Sequence, residues 1–350
     1  MTNIVRREQV VAIPNPFSLM LYLQEEIKQM RPDNENNTAF HYTDLSGFIS
    51  IIQNRELWMS NVSFINDRNE MQDGISICQK MIRDYLNGDL TCNQKNGLEI
   101  IWSKLDKGIS GGSWDSNKFD MFASCFCMEG DLLTQWRGYG ENGGIAIGFD
   151  QRQLRQCCRL MASNLYNEEI RNGTEPERML PHNEMTPLLK KVIYDDTEKE
   201  IIIKIILDLC LESLDYQNDD ALLEWVCSEF TDIIFRYMPL FKNSSFFSEQ
   251  ELRYVFSAET SKTMRIAAAP LRRTQIIDFR TRNGLILPFI KFKLLDVNCR
   301  PLRSLPIKKI VIGPCLHNED LLESVKYFLE NTNNSELIDR VISSDVPFRG

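Results

Sequence analysis

The chain has 350 residues, 43% of them hydrophobic and 25% charged, with a formal net charge of -9 and a pI near 5.1. That composition supports a full core, in one large domain or two modest ones, and the acidic balance excludes bulk attraction to phosphate backbones. Ten cysteines without a C-x-x-C pair or a Cys/His group at zinc spacing read as reduced cytosolic thiols, which places the chain in the cytoplasm.

The N-terminal residues 1 to 37 read as an arm ending in Pro14-Asn15-Pro16 and a helix from Ser18 to Met30, stopped by Pro32. A single α+β domain is expected over 38 to 350. It opens with a strand at Phe40 to Tyr42, a helix from Leu45 to Asn54 capped by Asp44 or Thr43, and a strand at Glu56 to Ser60. Asn66 to Glu70 reads as a turn leading into a helix through Tyr85. Gly108 to Ser116 reads as a polar loop before a buried strand at Met121 to Phe126, and Glu129 to Trp136 as a short helix before another strand at Gly143 to Phe149. A largely helical insertion is expected at about 151 to 242, with Glu198 to Leu214 and Asp219 to Met238 as its long elements. Strands follow at Leu252 to Ala258, Gln275 to Phe279, Leu285 to Leu294 and Lys308 to Ile312, then a helix from Asn318 to Leu329 and a last strand near Leu337 to Ile342. The most apolar stretch, Ile201 to Leu211, is broken by Lys204 and Asp208, so no membrane span is expected.

His41 is one of only three histidines, set where a strand hands over to a helix. A neutral imidazole offers one donor and one acceptor to a ligand hydroxyl; the competing reading is a core histidine bonded to backbone. Glu249 and Glu251 fall at the start of a strand, on one face with Arg253, where a carboxylate beside an arginine orients a hydroxyl or stabilises a developing cation. The competing reading is a solvated edge with a surface ion pair. Trp136, Arg137 and Tyr139 form either a platform for a planar ring or packing beneath the next strand.

Asp67, Glu70, Glu129 and Asp131 are hard oxygen donors, and each also lies near an expected helix start, where capping explains a carboxylate without a metal. The glycines at 138, 140, 143 and 144 precede a strand, whereas dinucleotide and P-loop motifs follow one, so those assignments are rejected. Gly108-Ile109-Ser110-Gly111-Gly112 matches the Gly-x-Ser-x-Gly pattern without the strand and helix context that a nucleophile elbow requires. The basic stretch from Lys262 to Arg282 is the one local patch for an anionic partner, with a solvated strand edge as its alternative.

The words Phe40 to Thr43, Leu57 to Asn61, Phe64 to Asp67 with Glu70, Ser124 to Phe126, Leu133 to Tyr139, Gly144 to Asp150, Glu249 to Arg253, Ile312 to Pro314 and Ser344 to Arg349 resemble a family of bacterial and phage-associated proteins described as domain of unknown function 2971. The resemblance runs from about residue 38 to the end. The layout also resembles a compact ADP-ribosyltransferase, which implies an α+β fold of mixed or antiparallel small sheets with a cleft between them. On that resemblance NAD is the substrate, Glu251 or Glu249 the catalytic carboxylate and His41 the ribose-holding residue. Tyr42, Thr43, Trp58, Asn66, Asp67, Trp136, Arg137, Tyr139 and Arg253 are the further ligand-binding candidates, and no metal is required. The implied partner is a protein or nucleic-acid acceptor, as for a toxin or antiphage effector. Two alternatives stand beside it: a non-catalytic module that binds a nucleotide or a partner, and a metal-dependent nuclease using Asp67, Glu70 and Glu129.

Overall fold

The computed structural model describes residues 38–64, 70–110, 121–139, 143–157, 160, 188–215, 219–257, 277–282, 284–296, 298 and 300–347. The arm and helix expected before residue 38, Asn66, Asp67 and the polar stretch from Asn167 to Glu184 lie outside these. The chain divides into two compact units. One takes in residues 69–115 and 195–241, the other 34–68, 116–194 and 242–350.

The first unit is helical. Its described residues form four α-helices: α2 (Glu70–Leu86), α3 (Cys92–Ser110), α5 (Asp196–Leu214) and α6 (Asp220–Tyr237). Asp195 and Asp219 cap the last two by accepting from the amides of Glu198 and Ala221, at 2.9 and 2.7 Å. Ile82, Ile101, Ile203, Leu207 and Ile234 are fully buried in this unit. The helical layer therefore draws on residues well before 151 as well as on the later segment. Gly108 and Ser110 end a helix and are not a loop, so a helix and not a strand precedes the Gly-x-Ser-x-Gly word.

The second unit holds one ten-stranded sheet where small separate sheets were expected. Along its main path the order is β10-β9-β4-β1-β3-β2-β8-β7, with β6 on the other edge of β3 and β5 beyond it. Its strands are β1 (Thr38–Thr43), β2 (Glu56–Asn61), β3 (Met121–Cys127), β4 (Ile145–Asp150), β5 (Leu188–Lys191), β6 (Glu251–Ser257), β7 (Ile277–Arg282), β8 (Leu285–Lys293), β9 (Ile307–Ile312) and β10 (Val341–Ser343). Among the described strands only the pairing of β10 with β9 is parallel, so the sheet is mixed and the fold is α+β. Strand β5 was not foreseen in a stretch read as helical. Helix α1 (Leu45–Asn54) is capped by Asp44, whose carboxylate accepts from the Gly47 amide at 2.6 Å. Helix α4 (Leu133–Tyr139) starts later than the expected Glu129, and α7 (Asn318–Asn331) follows β9. The last strand is shorter than expected, because Ser335–Arg340 forms a 3-10 turn. No helix among the described residues is long and apolar enough to cross a membrane.

Alternation along the strands separates two faces. Leu57, Met59, Phe122, Phe126, Leu252, Tyr254, Ile290, Phe292, Ile147 and Phe149 share one face and join Phe48, Val325 and Leu329 in the main core. Phe40, Tyr42, Cys127, Ala146 and Val311 lie on the opposite face with Trp136.

Strand β3 organises the sheet. Its full length pairs with β6, from Met121 opposite Ser257 to Cys127 opposite Glu251. Its other edge is divided: β1 meets it at Cys127 through Phe40, and β2 at Ala123 and Phe122 through Ser60 and Asn61. Between those contacts the two strands part.

Phe40 offers a packing test of this arrangement. A Cβ added to its cross-strand partner Gly148 would stand 2.7 Å from the Phe40 ring and 2.9 Å from Thr38 Cγ2. Gly148→Ala should therefore cost about 1 to 3 kcal/mol, the usual penalty of overpacking a filled core, read as a lower unfolding midpoint. An unchanged midpoint would contradict the packing described.

Candidate functional site

Glu251 is the first residue of β6 and is only 6% exposed. Its two oxygens accept from Arg253 Nε at 2.7 Å and Arg253 Nη2 at 2.8 Å, a bidentate clasp. Lys242 Nζ donates to the same carboxylate at 2.9 Å and to Glu249 Oε2 at 2.5 Å. Two carboxylates and two cations therefore meet in one buried network. The Glu251 amide donates to the Tyr194 hydroxyl at 3.0 Å, and its carbonyl accepts from the Val192 amide at 3.0 Å. Burial alone would raise the Glu251 carboxyl; Arg253, Lys242 and the Cys125 thiol together outweigh it and bring it down to about 2. It stays ionised across the ordinary pH range.

Glu249 differs from its neighbour. It ends the 3-10 turn Ser244–Glu249, and Gln250 turns the chain with a φ of 46°, so strand alternation does not extend back to it. Its side chain is 30% exposed. Its carbonyl accepts from Gln135 Nε2 at 3.3 Å and from the Cys127 thiol at 3.1 Å, which ties the turn to α4 and β3. Tyr139, on α4, is 37% exposed, while its hydroxyl is pushed up to about 12 by burial first and then by Cys125, Glu251 and Glu249.

His41 belongs to the face opposite Glu251. Phe40 and Glu251 both align with Cys127, and the residue after Phe40 alternates away. The imidazole packs at 5.6 Å from Phe126 and donates from Nδ1 to the Cys125 carbonyl at 2.9 Å, in the stretch of β3 that neither β1 nor β2 pairs. A carbonyl only accepts, so Nδ1 carries the proton and Nε2 remains an acceptor. Burial lowers the imidazole below its ordinary value and Arg280 lowers it further, against the carbonyl bond, which raises it. His41 is thus half-buried, neutral and of fixed tautomer, and bonds to backbone as the second of its two readings has it.

The other sequence candidates divide clearly. Arg253 is 1% exposed and clasps Glu251, so it is a buried partner of that acid and not a ligand contact. Trp136 is 4% exposed; its indole donates to Asp131 at 2.7 Å and its ring stands edge-on to Tyr42 at 4.7 Å, so it is packing and not a platform. The Tyr42 hydroxyl donates to the Glu129 carbonyl and accepts from the Leu132 amide, both at 3.0 Å, and so shapes the turn into α4. Asp131 caps no helix: it binds Trp136, the Ser344 hydroxyl and the Asp345 amide. Thr43 closes β1, and Arg137 and Glu129 are exposed. Trp58 is half-buried and stacks on Phe289 at 4.4 Å. No group of three or more His, Cys, Asp or Glu side chains fit to hold a metal occurs among the described residues.

Sequence reasoning missed Lys242, Cys125 and Tyr194. Nothing local marks them, since a single lysine after a helix or one thiol on an apolar strand gains meaning only from its partners.

The network sets a pH-dependence with a definite sign. With its carboxyl at about 2 against an ordinary 4.5, Glu251 stabilises the fold fully above a pH of about 4.5. That contribution is lost as pH falls toward 2. Glu251→Gln should flatten this acid limb and, at neutral pH, destabilise by about 3 to 5 kcal/mol by removing the buried carboxylate that Arg253 and Lys242 hold. Equal acid sensitivity in variant and parent, followed by urea unfolding, would contradict the assignment.

No curated protein and no solved structure matches the chain. The model of a family described as Protein of unknown function (DUF2971) matches residues 135–254, a narrower span than the words quoted above. The segment from α4 to β6, with Tyr139, Glu249, Glu251 and Arg253, therefore carries the signature of the DUF2971 family.

Proposed function

We propose that this protein is an NAD-using enzyme of the ADP-ribosyltransferase type in which Glu249 is the carboxylate presented to the ligand and Glu251 is its buried support. The observation that carries this reading is the asymmetry of the acid pair. One lysine bridges both acids, yet Glu251 has cations on both oxygens whereas Glu249 is 30% exposed and holds Lys242 through Oε2. An ionised carboxylate held still beside a ligand can orient a ribose hydroxyl and stabilise an oxocarbenium-like transition state. In that reaction the bond from ribose C1′ to nicotinamide breaks, nicotinamide leaves with the bonding electrons, and an acceptor forms a new bond to C1′ and gives up a proton.

His41 keeps Nε2 as an acceptor, its tautomer being set by Cys125, but it lies on the sheet face opposite Glu251 and is not assigned to the same ribose. The acceptor is a protein or nucleic acid, as for a toxin or antiphage effector, and the setting is cytoplasmic. These assignments rest on the resemblance.

A second reading is a non-catalytic nucleotide- or partner-binding module. It is favoured by the complete ion pairing of Glu251, which suits a structural residue as well as a catalytic one. Of the nuclease acids, Asp67 lies outside the described residues and Glu129 is exposed.

Nicotinamide release from NAD, with cell extract supplying the acceptor, separates the readings. Glu249→Gln should lower turnover by on the order of a hundredfold with a smaller loss of stability than Glu251→Gln. Undiminished turnover in Glu249→Gln would remove that residue from the chemistry. Binding of NAD by the parent protein without release would favour the module.

A further inference from the structure

The turn that carries Glu249 is held from outside itself. The Glu249 carbonyl accepts from the Cys127 thiol at 3.1 Å and from Gln135 Nε2 at 3.3 Å. A thiol is the weaker donor of the two. The neighbouring carbonyls are bound as well: Ser248 accepts from Thr134 Oγ1 at 3.4 Å and Gln250 from the Met128 amide at 3.1 Å. Gln250 has a φ of 46°, a conformation that a side-chain-bearing residue keeps where its surroundings impose it. Gln135 lies on α4 and is only 7% exposed. Burial of an amide is costly unless the amide is bonded, so its bond to the turn accounts for a glutamine at a place where an apolar side chain would otherwise pack.

Helix α4 is itself anchored. Asp131, which precedes it, accepts from the Trp136 indole at 2.7 Å, from the Asp345 amide at 2.8 Å and from the Ser344 hydroxyl. Ser344 Oγ in turn accepts from the Val346 amide at 3.0 Å, and Val346 packs against the cluster that holds Tyr42 and Trp136. The sequence words around Trp136 and around Ser344 thus meet at one carboxylate. A chain of bonded groups runs from the segment after β10, through Asp131 and α4, to the carbonyl of Glu249.

We infer that Gln135 is the positioning residue of Glu249: its amide, carried on a helix that Asp131 anchors to Ser344 and Asp345, sets where the Glu249 carboxylate stands. The inference rests on the NAD reading above for what that carboxylate does, whereas the positioning itself is a property of the turn.

Amide hydrogen exchange and nicotinamide release, both on the full-length protein, test it together. Gln135→Met keeps the length of the side chain and removes the donor. It should speed exchange of the Gln250 amide about tenfold while Ile310 and Ile312, on a strand paired along both edges, stay protected. It should also lower kcat about tenfold with KM for NAD within about twofold. Asp131→Asn should speed the same amide by less, and it serves if the Met variant does not fold. In a Glu249→Gln background Gln135→Met should lower kcat no further, because it acts through that carboxylate; a merely structural glutamine would lower kcat alike in both backgrounds. Unchanged exchange at Gln250, or equal losses of kcat in the two backgrounds, overturns the inference. Faster exchange at Gln250 in a protein whose parent releases no nicotinamide upholds the positioning and sinks the NAD reading instead.

Discussion

Two carboxylates and two cations, Glu249, Glu251, Lys242 and Arg253, meet below the start of β6 with three of the four residues under a tenth exposed. Ions in such a place are tolerable only as a set. Arg253 answers both oxygens of Glu251, Lys242 adds a third donor, and the Lys242 ammonium also lies 4.9 Å from the Phe246 ring. A hydrophobic replacement of the whole set can be as stable, whereas removing one member leaves a buried charge without its counter-ion. The network is thus better understood as a device that fixes geometry than as a source of net stability. What it fixes is the turn that brings Glu249 to the surface.

Strand β3 links that turn to the remaining candidates. Cys125 stands at the middle of it: its thiol supports the Glu251 carboxylate on one face, while its carbonyl takes the His41 proton at the sheet edge. Because β1 and β2 reach only the two ends of that edge, the carbonyl lacks a strand partner and a side chain supplies the bond. A backbone group left unpaired in this setting would be costly, so the scarce histidine has a structural duty before it has any other. That duty also leaves its second nitrogen as an acceptor, which is the state a ligand hydroxyl requires.

Much of the secondary structure was legible in the sequence, because its cues are local. A cap at Asp44 or Thr43 before an amphipathic run foretold α1, short apolar runs bounded by turn residues foretold β2, β3, β6 and β8, and the two long helices of the later helical segment lie within two residues of their expected ends. Strand β5 escaped notice because Leu188–Lys191 is short and lies in a stretch dominated by helical spacing, and its identity depends on pairing with β6. The helix Cys92–Ser110 was hidden by its glycines and polar residues. Strand division around β3, which decides where His41 points, is a long-range property that no local pattern encodes.

The acid site was half legible. Alternation correctly brought Glu251 and Arg253 to one face, but their burial converts an expected surface ion pair into the core of a network. Trp136 was open to two readings, a platform for a ring or packing beneath the next strand; Asp131 and Tyr42 draw it inward, as the second reading has it. The central physical claim is that Lys242 and Glu251 act as one unit and not as independent residues. A double-mutant cycle with Lys242→Met and Glu251→Gln, read from unfolding free energies at neutral pH, addresses it most directly. The account predicts non-additivity on the order of 1 to 3 kcal/mol, as for residues of one buried network. Additive losses would show that the two side chains do not depend on each other and would remove the basis for Glu249 being held in place.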